Sequence, residues 1–146
     1  MTLLVQKFGG TSLGSIERIK SVAQRIKTSK DKGDDLVVVV SAMGHTTDQL
    51  TKLASEITIH PSHREMDMLL STGEQVSISL LTMALHELGI SAISLTGNQA
   101  GIITESAHGR ARIIEIRTER IKNLLDQGKT LVIAGFQGTS LGIGGI

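Results

Sequence analysis

The sequence contains no cysteine, which removes disulfide scaffolding and thiol chemistry from consideration. It also lacks tryptophan and tyrosine, and Phe8 and Phe136 are its only phenylalanines. Charge of one sign does not dominate, since fifteen lysines and arginines face fourteen aspartates and glutamates. With neither a basic block nor an aromatic platform, the chain carries no electrostatic footprint for nucleic acid or an anionic membrane, so no nucleic-acid partner and no membrane partner are expected. No signal peptide, membrane-length apolar run, interdomain linker, low-complexity stretch or internal repeat is visible, which makes the cytoplasm the expected location. What remains is 146 residues of 40% hydrophobic composition, the size of one domain with one core.

The most informative stretch comes first. Leu3, Leu4 and Val5 form a short apolar strand that runs into Lys7, the pair Gly9 and Gly10, and the hydroxyls of Thr11, Ser12 and Ser15. Glycines let the backbone turn sharply and bring its N–H groups close to an anionic oxygen, while a lysine supplies a mobile positive charge. A helix beginning near Ser15 or Ile16 is expected to point its positive end at the same spot. These residues read as a phosphate cradle at a strand-to-helix junction, or as a Gly-rich turn beside a surface lysine. The dinucleotide and P-loop fingerprints are both missing: residues 9–14 do not read G-x-G-x-x-G, and Gly128-Lys129-Thr130 has Asn123 where the leading glycine of a P-loop belongs.

Further along, Ile16, Ile19, Val22, Ala23 and Ile26 recur at helical spacing, with Gly33 as the stop. Leu36 to Val40 is a continuous apolar run, the pattern of a strand buried on both faces of a parallel sheet. Ligands of open α/β sheets bind at the carboxyl ends of such strands, so Ser41, Gly44, Thr46 and Thr47 are site candidates, although Thr47 could equally cap the next helix, whose apolar stripe is Leu50, Leu53, Ala54 and Ile57. Ile59 to Ser62, which contains the single proline Pro61, breaks that helix, and Ser62 with Glu65 forms a capping box for another. Gly73 and Glu74 interrupt the periodicity between Glu65 and Leu88. Gly73 marks either a break or a close approach, and Glu74 either faces solvent or is held inward to bind a cation such as an ammonium group. Gly89 closes the segment, and Ile90 to Leu95 is a strand followed by a loop over 96–101. Residues 102–114 read as two short strands around His108-Gly109. A last helix begins at Thr118, with Ile121, Leu124 and Leu125 inward and Gly128 as its cap, and Leu131 to Ala134 is a strand that delivers Gly135-Phe136-Gln137-Gly138. Strands alternating with helices predict an α/β layered sandwich, αβα, with a mainly parallel sheet. His60 and His63 have nominal metal-ligand spacing, but nothing around them completes a ligand set, so surface or capping roles are expected and no metal site is assigned.

Lys7-Phe8-Gly9-Gly10-Thr11-Ser12-Leu13-Gly14 resembles the opening signature of aspartate kinases, within the amino acid kinase family. The likeness continues through Val40 to Gly44, Arg64 to Gln75, Thr96 to Gly101 and Gly135 to Gly138. It implies the amino acid kinase (carbamate kinase-like) fold and phosphorylation of the side-chain carboxylate of L-aspartate by ATP with Mg2+, on the route to lysine, threonine, methionine and isoleucine. On that resemblance Lys7 is catalytic and contacts the transferring phosphates, with Gly9 and Gly10 donating backbone N–H groups. Ser41, Thr47 and Glu74 would hold the aspartate, Glu74 facing its ammonium group, and Phe136 would line the substrate side.

The ending departs from the family pattern. Where a Thr-Thr-Leu-Gly-Arg-Gly-Gly-Ser-Asp block is expected after a longer loop, the chain has residues 139–146, with Ile143 at the arginine position and no Ser-Asp pair. The expectation is therefore that residues 1–146 are the N-terminal portion of a kinase domain, without the nucleotide-binding half and the regulatory ACT modules, and inactive alone. Two alternatives stand beside it: a glutamate or acetylglutamate kinase, and a noncatalytic fragment that binds substrate or self-associates through an unpaired sheet edge as a homo-oligomer.

Overall fold

The apolar run that ends at Val40 lies inside a parallel sheet. In the computed structural model, which describes residues 2–136 and 138–140, β1 (Leu3–Phe8), β2 (Asp35–Val40), β3 (Ala92–Leu95) and β6 (Thr130–Ala134) pair in the order β1-β2-β6-β3. All three pairings are parallel, with Lys7 opposite Val39 and Val40 opposite Ala134. The remaining elements are a 3-10 turn (Gly10–Leu13), α1 (Ile16–Asp31), α2 (Thr46–Ile57), α3 (His63–Glu87), α4 (Gly97–Ala100), β4 (Ile102–Thr104), β5 (Ile113–Ile116), α5 (Glu119–Asp126) and β7 (Thr139–Ser140). Gln137 and residues 141–146, including Ile143 and the rest of the divergent ending, lie outside the described residues.

The two-residue period of a strand sends alternate valines to opposite faces, and both faces are covered. Leu36, Val38 and Val40 join Phe8, Val132 and Ala134 against Ile19, Val22 and Ile26 of α1 and Ile78, Leu81 and Leu85 of α3. Val37 joins Leu95, Leu131 and Ile133 against Ile121, Leu124 and Leu125 of α5. Each such side chain, fully buried, contributes about 1.5–3 kcal/mol, which is what fixes the register of the sheet. The result is the expected αβα sandwich. Its cover is incomplete at β1, an edge strand among the described residues, where Leu3 and Val5 are 55% and 67% exposed.

Helix ends follow the local signals. Ser15 and Ser62 accept hydrogen bonds from the backbone N–H groups of Arg18 and Glu65, and Gly33, Gly89 and Gly128 hold positive φ just past α1, α3 and α5. Two expectations are corrected and one open reading is decided. The loop over 96–101 is a capped helical turn, because Thr96 and Gln99 satisfy each other's backbone N–H groups in a capping box. The apolar stripe of α2 is only partly covered: Leu50 and Ala54 are half-buried where α2 packs on α3, whereas Leu53 and Ile57 are exposed. Helix α3 is not interrupted at Gly73 but runs unbroken for 25 residues. By length and composition it could cross a membrane, yet here it is the core helix of its layer, with Glu74, Ile78, Leu81 and Leu85 buried.

The pair of strands expected around His108-Gly109 forms a hairpin, β4 antiparallel to β5, in a second sheet ordered β5-β4-β7. Gly101 anchors it at φ +86°, where a Cβ would collide with the carbonyl oxygen of Arg117. The Arg117 N–H in turn donates to the Gly101 carbonyl at 2.8 Å. Gly101→Ala combines a left-handed backbone, about 1–2 kcal/mol, with overpacking, about 1–3 kcal/mol. Its thermal midpoint is expected to fall by roughly 5 °C or more, read by circular dichroism; an unchanged midpoint would contradict this close approach.

Candidate functional site

Three loops meet at the carboxyl edge of the parallel sheet because β1, β2 and β6 are neighbours there. They are tied by backbone hydrogen bonds, Gly44 N–H to the Gly10 carbonyl at 2.9 Å and Gly135 N–H to the Val40 carbonyl at 2.8 Å. Such contact leaves no room for side chains. A Cβ on Gly10 would stand 3.0 Å from the Ala42 carbonyl oxygen, whereas one on Gly9 would meet nothing within 4 Å. Close approach therefore requires the second glycine of the pair, not the first.

Helix α3 builds another wall with Asp67, Leu70, Ser71 and Glu74, residues that share one helical face by their spacing. Gly73 lets α3 come close: its absent Cβ would lie 3.1 Å from the Ala42 Cβ and 3.2 Å from the Thr46 Cγ2. Of the two sequence readings of Gly73, close approach is the one realised. Glu74 is held inward, 5% exposed, and its Oε2 accepts a 2.8 Å hydrogen bond from the Phe136 N–H. A carboxylate so placed joins α3 to the loop after β6.

The β4–β5 hairpin closes the remaining side. Asp67 Oδ2 lies 3.0 Å from His108 Nδ1 and accepts the Gly109 N–H at 3.0 Å, so the turn is pinned onto α3. The cleft so enclosed has a volume of about 720 Å³ and is open to solvent. Gly10, Ser41, Thr47, Glu74 and Phe136, scattered over more than a hundred residues of sequence, all line it. Lys7 stands at its rim, with Nζ 5.5 Å from the centroid of the exposed Phe136 ring. Gly9 is not on the cleft wall.

Two details differ from the sequence reading. Thr47 is not the cap of α2; His45 occupies that position without a side-chain cap bond, which leaves Thr47 in the first turn on the cleft wall. The start of α1 does not face the cleft, because the 3-10 turn intervenes. Ser15 and Arg18 line a neighbouring hollow with His45 and Gln49, and Gly44 lies on the walls of both. Asp67, Ser71, His108 and Arg110 were not legible as site residues. Helical spacing from Glu74 could have found Asp67 and Ser71, but no local signal places the hairpin across the sheet edge.

Lys7 and the Gly10 turn suit the phosphate end of a nucleotide, one mobile cation beside backbone that approaches closely. Among the described residues no cluster of three acidic, histidine or cysteine side chains is arranged to hold a metal ion, so no residue is assigned to Mg2+.

A model of the amino acid kinase family matches residues 2–145. The sequence is 62% identical over 152 residues to an aspartokinase of Geobacillus stearothermophilus and 57% identical over 152 residues to aspartokinase 2 of Bacillus subtilis (strain 168). In both cases the match covers 99% of this chain and 37% of the relative, so the chain spans little more than a third of their length. Among solved structures, aspartate kinase from Synechocystis superposes with a TM-score of 0.80 at 52% identity, over 99% of this chain and 25% of that one. Aspartokinase III of E. coli, solved with aspartate and ADP, shares the fold with a TM-score of 0.78 at 20% identity, over 97% of this chain and 42% of that one.

Proposed function

Because the chain belongs to the amino acid kinase family, we propose that its cleft is the acceptor side of an aspartate kinase, where the side-chain carboxylate of L-aspartate receives the γ-phosphoryl group of ATP. The observation that carries this reading is Glu74, a buried carboxylate on the wall of a cleft that also presents Ser41 and Thr47. A carboxylate on the wall of a binding cleft is suited to an ammonium group, since the attraction between opposite charges is stronger where water is excluded. Likeness to aspartokinases over the whole chain supports the choice of substrate.

In this reading Glu74 takes the α-ammonium group, Ser41 and Thr47 hydrogen-bond the ligand, and Phe136 shields one side of it. A side-chain carboxylate oxygen forms the new P–O bond as the bond to the β-phosphate bridging oxygen breaks, and ADP leaves with that electron pair. No protein nucleophile and no proton transfer is required. Lys7 supplies positive charge to the phosphoryl oxygens, and the Gly9-Gly10 turn offers backbone N–H groups nearby. ATP, with Mg2+, supplies the phosphoryl group.

The test is ATP-dependent hydroxamate formation by this chain joined to a nucleotide-binding half, with L-aspartate, L-glutamate and N-acetyl-L-glutamate as acceptors. Product from aspartate alone is expected. The acetylated acceptor lacks the ammonium that Glu74 would pair with, so equal turnover with it would sink the assignment.

A second reading, self-association, is favoured by the edge of β1 that is open among the described residues and by β5, where Ile113, Ile114 and Ile116 are 60%, 65% and 49% exposed. Apolar side chains on strands with one open edge invite pairing with another copy. Size-exclusion chromatography with light scattering is expected to show a mass that rises with concentration; a concentration-independent monomer would contradict it.

A further inference from the structure

Arg18 stands where charge alone would not put it. It is the third residue of α1, and the first turn of a helix, the positive end of its dipole, favours acids over cations. Its backbone N–H is taken up by the Ser15 cap. Among the described residues its guanidinium makes no ion pair. It turns back instead onto the 3-10 turn before α1, where Nη1 donates to the Thr11 carbonyl at 2.6 Å. Gly14 leaves the room for this: its φ of −71° is open to any residue, but a Cβ there would stand 3.3 Å from the Thr11 carbonyl oxygen and 3.4 Å from Arg18 Nη1.

A peptide unit joins the carbonyl of one residue to the N–H of the next, so a donor on that carbonyl polarises the unit and makes its N–H a stronger donor in turn. Arg18 stands at the head of such a series. The Thr11 carbonyl shares its peptide unit with the Ser12 N–H, which donates to the Gly9 carbonyl at 3.1 Å. The Gly9 carbonyl shares its unit with the Gly10 N–H. That N–H has no hydrogen-bond partner among the described residues, and Gly10 is on the cleft wall. The turn that carries the series is held at two other points, by Leu13, fully buried in the core, and by the Gly44 N–H on the Gly10 carbonyl at 2.9 Å. Arg18 itself is not on the cleft wall but lines the neighbouring hollow, so its charge bears on the cleft without its side chain entering it.

We propose that Arg18 is a positioning residue for phosphoryl transfer: it fixes the 3-10 turn through the Thr11 carbonyl and, through two peptide units, polarises the Gly10 N–H for the phosphoryl oxygens of the nucleotide. The inference rests on the reading of Lys7 and the Gly9-Gly10 turn as the phosphate side of the cleft. The two cations then act differently: Lys7 brings a mobile charge from the rim, and Arg18 makes a fixed backbone N–H a stronger donor than an ordinary amide.

Backbone NMR of the isotopically labelled chain tests this, with inorganic triphosphate as the probe. Arg18→Met keeps the apolar stem of the side chain, and Arg18→Lys keeps the charge and a donor. In the free chain, Arg18→Met is expected to move the Ser12 and Gly10 amide protons upfield, the direction of weaker hydrogen bonding, and Arg18→Lys to recover part of the change. The changes should persist at about 1 M KCl, where a charge acting through space is screened within ~3 Å; changes that vanish in salt would overturn the relay. Triphosphate affinity, followed at the Gly10 amide, should fall roughly threefold or more in Arg18→Met and recover in part in Arg18→Lys, with the thermal midpoint unchanged. Unmoved Ser12 and Gly10 amides, or an unchanged triphosphate affinity, in Arg18→Met would overturn the role of Arg18. So would an affinity lost only together with a lowered midpoint, the behaviour of a structural tie. If triphosphate does not move the Gly10 amide of the unaltered chain, the phosphate reading of the turn fails and this inference fails with it, an outcome distinct from binding that ignores Arg18.

Discussion

Glu74→Gln is expected to remove L-aspartate binding while leaving the fold intact. Glutamine has nearly the same shape, and its carbonyl oxygen can still accept the Phe136 N–H that Glu74 Oε2 accepts at 2.8 Å. What it lacks is the charge. Truncating one member of a buried, hydrogen-bonded charge pair costs about 2–5 kcal/mol, and each ~1.4 kcal/mol is a factor of ten, so affinity should fall by roughly thirtyfold at the least. Calorimetric titration measures the loss, and thermal melting should show a midpoint near that of the unaltered chain. Unchanged affinity would make Glu74 a structural tie between α3 and the loop after β6 and no more. Glu74→Ala makes the complementary case, since it also leaves the Phe136 N–H without this partner and should lower stability as well as affinity.

Lys7→Ala is expected to act on turnover. In a chain that carries a nucleotide-binding half, kcat should fall by about 10²–10³, the usual effect of removing a group that stabilises charge developing in the transition state. KM for aspartate should change little, because Lys7 stands at the rim over Phe136 rather than on the cleft wall. Lost packing cannot account for such an effect: an exposed cation–π contact is worth about 0.5–1 kcal/mol, less than tenfold. Lys7→Arg keeps the charge and should retain part of the rate. Steady-state kinetics that found kcat unchanged in Lys7→Ala would remove the catalytic role.

The core layers were legible because their signals are periodic and local. The apolar run of β2, the stripe of α1 and the caps at Ser15, Ser62 and Gly33 each follow from the geometry of a single element. A parallel α/β sheet also gathers ligands at its strand ends, which is why Ser41 could be proposed as a site residue from the residues alone, whereas Phe136 was implied only by the family resemblance. Other features depend on which elements meet. Gly73 gives the same sequence signal whether a helix breaks or another element leans on it, and only the approach of Ala42 and Thr46 decides. The stripe of α2 shows the converse, an amphipathic pattern that among the described residues packs chiefly against α3 and leaves Leu53 and Ile57 exposed. The hairpin was readable as two strands and a turn, but its place across the cleft is set by Asp67, forty-one residues from His108, and no short-range pattern encodes that contact.

The central claim is that this cleft binds L-aspartate with Glu74 as the partner of its ammonium group. A titration of the isotopically labelled chain with L-aspartate, followed by backbone NMR, tests it most directly. The account predicts saturable shifts at Ser41, Thr47, Gly109 and the Phe136 amide that Glu74 holds, absent in Glu74→Gln and far weaker with N-acetyl-L-aspartate. Shifts confined to the hollow beside Ser15 and Arg18, or equal response to the acetylated compound, would contradict it.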